Sequence, residues 1–376
     1  MSSPTADKSS GEAAVFASAK KNLSRVKNYQ PGKPIEEVER EYGLKNAIKM
    51  ASNENAFGPS PKAVAAIQKN LRNIHRYPDG QCYYLRDKLS KFLGVSKDSL
   101  IFGNGSDEIL IFAVRTFIGR GDEVIIADPT FMIYEIATQV EDGVIVKVPM
   151  KNFHYDLDAM KSRVSHRTKL IFIANPDNPI GTYISSGKLI HFLKVIPQNI
   201  AVVLDEAYYE FAKDKKDYPN SLKLMRDFKN LIITRTFSKA YGLSGLRIGF
   251  GIADPNMASL LNKVKEPFNV NLLAQAGACA ALEDTAHLKK TLHMVTDGRK
   301  ILSREMRALG AKVVNTATNF ILADLGCDAE EVHEKLLRKG IIIRSMGGWG
   351  LKTFIRVTIG KPSENKRFIN VLKSIL

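Results

Sequence analysis

Hydrophobic positions along this chain fall into two regimes. From about Lys49 to Gly251, short runs that are apolar at nearly every position alternate with stretches of helical periodicity. Ser99–Phe102, Glu123–Ala127, Val144–Val148, Leu170–Ala174, Ala201–Leu204 and Leu231–Thr234 are such runs, most of them β-branched and aliphatic on both faces. A strand with no polar face is one covered on both sides, the pattern of a sheet lying between two layers of helix. Helical stretches such as Asp107–Phe117 and Lys188–Val195 intervene. The alternation predicts an α/β protein with a mostly parallel central sheet, its functional residues in the loops past the carboxyl ends of the strands.

After Pro267 the pattern changes. Leu272–Leu282 and Lys289–Leu309 read as long helices, and Ala311–Val314, Asn319–Leu322, Gly340–Ile343 and Phe354–Ile359 as short strands. Helices at Ala329–Lys339 and Asn365–Ile375 complete a smaller α+β domain over residues 272–376. The large domain is expected over 53–271, with an arm over 25–52 that joins the small domain. Residues 1–24 are rich in Ser and Ala at their start and lack the apolar core of a secretory signal, so they read as a mobile tail.

Composition narrows the function classes. With 44% apolar and 25% charged residues over 376 positions, the chain has the balance of a soluble globular protein. No apolar run approaches a membrane span. Cys82, Cys279 and Cys327 are scattered and show no metal-ligand spacing, so no metal site is expected and a reducing cytoplasm is. The net charge of +16 first brings nucleic acid to mind. Yet the basic residues are dispersed: Lys20-Lys21 is only a pair, and Lys213–Lys216 is interrupted by Asp214. An anionic small substrate, or a proteome of high isoelectric point, accounts for the excess at least as well.

The chemistry concentrates between Arg235 and Phe250. Lys239 sits among small residues just past an apolar strand, with Ser238 beside it and Arg247 eight positions on. Burial and a nearby cation both lower a lysine's pKa and free its amine for Schiff-base chemistry. Hydroxyls and an arginine suit a phosphate. Together they point to pyridoxal 5′-phosphate, although Lys239 taken alone reads more simply as a solvated loop lysine. Asp205 ends the apolar strand Ala201–Leu204 and needs a partner there. A protonated pyridine nitrogen would be one, and a helix N-cap role is as good a reading of Asp205 by itself. Asn178 lies in the turn Asn175-Pro176-Asp177-Asn178-Pro179-Ile180-Gly181, where its amide could meet the cofactor's phenolic oxygen. Gly103-Asn104-Gly105-Ser106-Asp107-Glu108 joins a strand to a helix start, where free N–H groups suit a phosphate. Ser106 is equally a plain helix cap, and the charges of Asp107 and Glu108 oppose an anion unless they point away.

In order and spacing, Asn178-Pro179-x-Gly181, Asp205-x-x-Tyr208 and Ser238-Lys239 with Arg247 resemble the fold-type I pyridoxal-phosphate aminotransferases. The finer pattern resembles the histidinol-phosphate aminotransferase family: Met50–Asn55, Arg76–Asp79, Gly103–Glu108, Arg235–Arg247, Pro267–Asn271, Asn319-Phe320 and Ile355–Gly360. The likeness runs from about Tyr29 to the C-terminus. It implies the fold-type I architecture, a seven-stranded mostly parallel sheet with helices on both faces and a smaller α+β domain. It implies transamination between L-histidinol phosphate and 2-oxoglutarate, giving imidazole acetol-phosphate and glutamate, in histidine biosynthesis.

The same resemblance assigns roles. Lys239 would hold the cofactor aldehyde and then move the proton between Cα and C4′. Asp205 would pair with the ring nitrogen, and Asn178 and Tyr208 would bond the phenolic oxygen. Phe131 would stack on the ring. Ser106, Asp107, Thr236, Ser238 and Arg247 would hold the phosphate, joined by Tyr77 from a neighbouring subunit, so that a homodimer is implied with active sites at its interface. Tyr29, Asn53, Arg344 and Arg356 would receive the substrate, with Arg344 closing the strand Gly340–Ile343.

There are departures from the family pattern. Asp177 and Ile180 stand where Asn and Thr are usual, Ala56 replaces a proline, and Trp349 leads into Arg356 with a bulky aromatic. Trp349 could favour aromatic donors, so an aromatic amino-acid aminotransferase is the alternative, as is a decarboxylase of a phosphorylated amino acid on the same fold. A non-catalytic protein that kept the fold is a third reading, against which Lys239, Asp205, Asn178 and Arg247 all count.

Overall fold

The architecture follows from which strands can afford a polar face. In the computed structural model, which describes residues 18–376, β2 (Leu100–Gly103), β3 (Glu123–Asp128), β4 (Val144–Pro149), β5 (Thr168–Ala174), β6 (Ala201–Asp205), β7 (Leu231–Thr236) and β8 (Gly249–Ile252) form one sheet. Its order is β2-β8-β7-β6-β5-β3-β4. β6 and β7 are buried along their whole length, including the polar residues at their carboxyl ends, and they occupy the middle of the sheet. β4 lies at the edge and mixes exposed and half-buried positions with the single buried Val148, so the full covering expected on both of its faces is not reached. β8 runs antiparallel to β2 and β7. Its Gly-Phe-Gly-Ile sequence carries too few apolar side chains to read as a strand.

A second, four-stranded antiparallel sheet has the order β12-β13-β10-β9, from β9 (Lys312–Val313), β10 (Phe320–Asp324), β12 (Arg344–Ser345) and β13 (Phe354–Thr358). β1 (Ile48–Lys49) pairs with β11 (Ile341–Ile342) as a separate parallel ribbon. The single strand expected at Gly340–Ile343 is thus two, in two sheets. The chain changes sheet at the buried Ile343, so Arg344 begins β12 instead of ending the preceding strand. Helices Thr285–Ala308 and Pro362–Ile375 cover the four-stranded sheet through Leu302, Met306, Phe368 and Leu372. Helix Leu272–Glu283, which composition grouped with this second unit, instead packs Ala274, Ala278 and Ala281 into the cluster beneath the large sheet.

The tail expected over residues 1–24 falls for the most part outside the described residues. Of its last part, residues 18–24 are described. Lys21–Arg25 forms a short 3-10 turn, and the buried Asn22 donates to the carbonyls of Gln139 at 2.6 Å and Val140 at 3.0 Å. Those carbonyls lie at the C-terminal end of helix Ile133–Val140, where the Gln139 carbonyl also accepts from the Asp142 amide at 3.1 Å. Within the arm, Val38, Ala47 and Ala51 pack on Leu337 and Ile342 of the second unit.

Candidate active site

The loops beyond the carboxyl ends of β5, β6 and β7 meet β12 and β13 around a cavity of about 240 Å³. Each wall is set by where a strand stops.

Lys239 follows β7 by three residues, and its amine donates only to the Ser52 carbonyl, at 3.2 Å. Burial, with the Arg356 cation second, pushes its pKa down to about 8. Asp205 is the last residue of β6. Its Oδ2 accepts from the Tyr134 hydroxyl at 2.8 Å, and its Oδ1 from Thr234 Oγ1 and the Ala207 amide, each at 3.1 Å. All three donors are neutral, and burial still lifts the carboxyl to about 6. Among the described residues Asp205 forms no ion pair, so it is a buried acid on the cavity wall with neutral hydrogen-bond donors only. Sequence reasoning missed Tyr134, which stacks on Phe172 with ring centroids 4.5 Å apart. Its position three residues after Phe131, one helical turn on, was the available signal.

The Tyr208 hydroxyl accepts from Asn53 Nδ2 at 2.8 Å. Asn53 lines the cavity but directs its amide at Tyr208, while its Oδ1 accepts from Thr358 Oγ1 at 3.1 Å. Asn178 accepts from Arg356 Nη1 at 2.5 Å, and Arg356 Nη2 donates to the Ala51 carbonyl at 2.8 Å. The remaining Nε of Arg356 is buried without a partner. A buried donor left unpaired is costly and marks a place where an acceptor is missing.

One end of the cavity is built for an anion. Ser106 and Asp107 begin the helix Ser106–Phe117, whose first N–H groups have no partner within the helix. Arg247 reaches Ser238 Oγ at 3.4 Å and Asp107 Oδ2 at 3.2 Å. Thr236 Oγ1 accepts from the Ser238 amide at 3.0 Å. Gly105 and Gly249 keep this corner open: a Cβ on Gly105 would overlap the Arg247 guanidinium, and one on Gly249 the Ser106 amide nitrogen. The objection raised by the two acids is met by geometry for Glu108, which turns away to accept from the Asn104 amide at 2.6 Å and from Asn269 at 2.5 Å. Asp107 stays at the corner, its carboxylate paired with Arg247 at 3.2 Å.

At the other end Arg344 and Arg356 are Cα partners across β12 and β13, and both line the cavity. Arg344 donates to the Gln30 carbonyl at 2.7 Å. Tyr29 and Phe131 also reach the cavity, Phe131 edge-on to Tyr134 at 5.7 Å and 88°. Tyr77 does not. It is 84% exposed and stacks on Phe268, with ring centroids 4.8 Å apart.

Behind these residues lie buried polar groups to which the sequence pattern assigned no role. Asp177 is fully buried and accepts from Thr130 Oγ1 at 2.8 Å, Tyr155 at 3.0 Å and the Ile180 amide at 3.1 Å. Arg235 pairs with Glu206 at 2.8 Å, both side chains almost wholly buried.

Comparison with known proteins supplies the frame. Residues 45–372 match the aminotransferase class I and II family. A histidinol-phosphate aminotransferase of Moorella thermoacetica is 49% identical over 364 residues, 96% of this chain and 94% of that protein. One from Desulfotalea psychrophila is 44% identical over 367 residues, covering 97% of each. The crystal structure of histidinol-phosphate aminotransferase from Sinorhizobium meliloti in complex with pyridoxal-5′-phosphate superimposes with a TM-score of 0.87 at 30% identity, over 96% of this chain and 99% of that one.

Proposed function

The chain belongs to the class I and II aminotransferases, and from that premise we propose that it transfers the amino group of L-histidinol phosphate to 2-oxoglutarate with pyridoxal 5′-phosphate as cofactor, a step of histidine biosynthesis. The observation that carries the substrate is the cross-strand pair Arg344 and Arg356, two guanidinium groups lining the same cavity as Lys239 and the anion corner. Guanidinium forks suit phosphate and carboxylate oxygens alike, so one wall can serve the phosphorylated donor and then the dicarboxylate acceptor.

The residues present fit the cofactor. The open corner at Gly105 and Gly249, the free N–H groups of the helix start and Arg247 suit its phosphate. Asp205, a buried acid with neutral donors only, suits a protonated ring nitrogen. Tyr208 and Asn178 would bond the phenolic oxygen, and Phe131 would lie against the ring. Bound there, pyridoxal 5′-phosphate supplies an electrophilic aldehyde and a ring that takes up the electron pair left when the donor's Cα–H bond breaks. Lys239 is the group that takes that proton from Cα, and its lowered pKa makes the neutral amine available near neutral pH. Arg356 orients the donor, and its loss of hydration in the cavity strengthens its hold on an anion.

The sign of the Lys239 shift gives a test. Below about pH 8 the amine is protonated and cannot attack an aldehyde. Uptake of the cofactor by the apoprotein, followed by its yellow colour, should slow about tenfold per pH unit below that value and level off above it. A rate still climbing toward 10.5, the value of an unshifted lysine, would overturn the assignment.

Substrate choice is tested by Arg344→Ala. Its half-reaction with histidinol phosphate should lose about tenfold or more in kcat/KM, the worth of a charge-assisted hydrogen bond, and with phenylalanine much less. Equal losses for the two donors would count for the aromatic aminotransferase reading.

A homodimer with shared active sites also belongs to this proposal, as does a cytoplasmic location, consistent with three free cysteines. Ile74, Tyr77 and Tyr84 are 65%, 84% and 79% exposed within one stretch of chain, an apolar surface a second copy would cover. Sedimentation at the mass of a single chain would dismiss the dimer.

A further inference from the structure

Trp349, the one tryptophan of the chain, stands apart from the groups assigned so far. It ends the short 3-10 turn Gly347–Trp349, flanked by glycines and exposed to the cavity that Arg344 and Arg356 line. Two contacts fix its indole. The Nε1–H donates to the Thr130 carbonyl at 2.9 Å, across from the second unit to the first. The ring faces the Arg344 guanidinium, whose carbon lies 5.3 Å from the ring centroid.

Thr130 is itself held. Its hydroxyl donates to the buried Asp177 carboxylate at 2.8 Å, and Asp177 precedes Asn178, which accepts from Arg356. Arg356 is the cross-strand partner of Arg344. The contacts therefore close a ring: Arg344, Trp349, Thr130, Asp177, Asn178, Arg356. Arg356 is fixed by two hydrogen bonds and is buried. Arg344 is only half-buried, has one hydrogen bond to a carbonyl of the N-terminal arm, and forms no salt bridge among the described residues. A long cationic side chain so placed has several rotamers open to it, and ordering it costs binding free energy each time an anion arrives. An aromatic face beneath it removes part of that cost in advance.

Resting on the reading of Arg344 as the arm that meets the substrate phosphate, we propose that Trp349 is a positioning residue for Arg344. The indole face holds the guanidinium toward the cavity, and its N–H anchors the pair to Thr130 and through it to the Asp177 turn. Trp349 thereby sets the preference for a phosphorylated donor over the same donor without phosphate.

The test compares histidinol phosphate with histidinol in the half-reaction of the cofactor-loaded enzyme, for wild type, Trp349→Leu, Trp349→Phe, Arg344→Ala and the double variant. Trp349→Leu should raise KM for histidinol phosphate about fivefold to tenfold, with kcat and the reaction of histidinol within about twofold. Trp349→Phe, which keeps a face but not the N–H, should fall between. In the Arg344→Ala background Trp349→Leu should add nothing further, because the residue acts through Arg344. Bound-cofactor absorbance and thermal midpoint confirm that each variant is folded. If Arg344→Ala discriminates between the two donors but Trp349→Leu weakens both equally, or weakens histidinol phosphate as strongly without Arg344, the positioning role is overturned alone. If Arg344→Ala itself fails to discriminate, the phosphate-arm reading and this proposal fall together.

Discussion

Lys239→Ala should lower kcat by on the order of a thousandfold or more, since it removes both the nucleophile for the cofactor aldehyde and the base at the donor's Cα. The fold should survive the change. The Lys239 amine makes one hydrogen bond, to the Ser52 carbonyl, and burial has already moved its pKa down to about 8. A lysine whose charged form is disfavoured in the native state contributes nothing to stability that alanine would forfeit on that account. The variant should therefore bind the cofactor weakly and reversibly, melt near the wild type, and show almost no single-turnover reaction with histidinol phosphate. Turnover within tenfold of wild type would mean that another base serves Cα. Candidates are few among the cavity side chains: Asp205 is engaged by Tyr134, Thr234 and the Ala207 amide, and Tyr208 holds its phenol's proton still more firmly because burial raises its pKa.

The largest effect on stability is expected at Arg235, which never touches the cavity. Its guanidinium lies between Glu206, at 2.8 Å, and the Tyr209 ring, with its carbon 3.4 Å from the centroid. Glu206 also accepts from Ser221 at 2.9 Å. Both charges of the pair are withdrawn from water. Arg235→Met leaves the Glu206 carboxylate buried without its cation, a change that costs about 3–5 kcal/mol in comparable pairs. The double replacement Arg235→Met with Glu206→Leu should recover much of the loss, because the penalty lies in the orphaned charge rather than in the absent attraction. Urea unfolding followed by circular dichroism gives the comparison. A single variant within about 1 kcal/mol of wild type would show that Glu206 finds another partner or takes up a proton at little cost.

These two residues stand four positions apart, and one was legible in the sequence while the other was not. Lys239 could be found because it lies in a run of small and hydroxylic residues that no packing argument explains. Arg235 sits within the same run, yet nothing local says that it is buried, since its partner Glu206 is contributed by the neighbouring strand end. Asp205 and Asn178 drew notice through their places just past apolar strands, although each by itself read equally as an ordinary cap or turn residue. Tyr134 and Asp177 were given no role, because each looks locally like any helix or turn residue.

The same division runs through the fold. All-apolar runs determined the central strands β5, β6 and β7, since a strand with two apolar faces has no stable place but the middle of a covered sheet. Strands defined by pairing and not by side chains escaped. β8 is Gly-Phe-Gly-Ile, and the split of residues 340–345 between β11 and β12 depends on which edge each segment meets. That split is what sets Arg344 opposite Arg356. Sequence by itself determined the chemical groups, because their types and spacing are local properties of the chain. Only the tertiary structure decided which of them face one another, since burial, cross-strand register and contacts such as Trp349–Thr130, 219 positions apart, join residues distant in the chain.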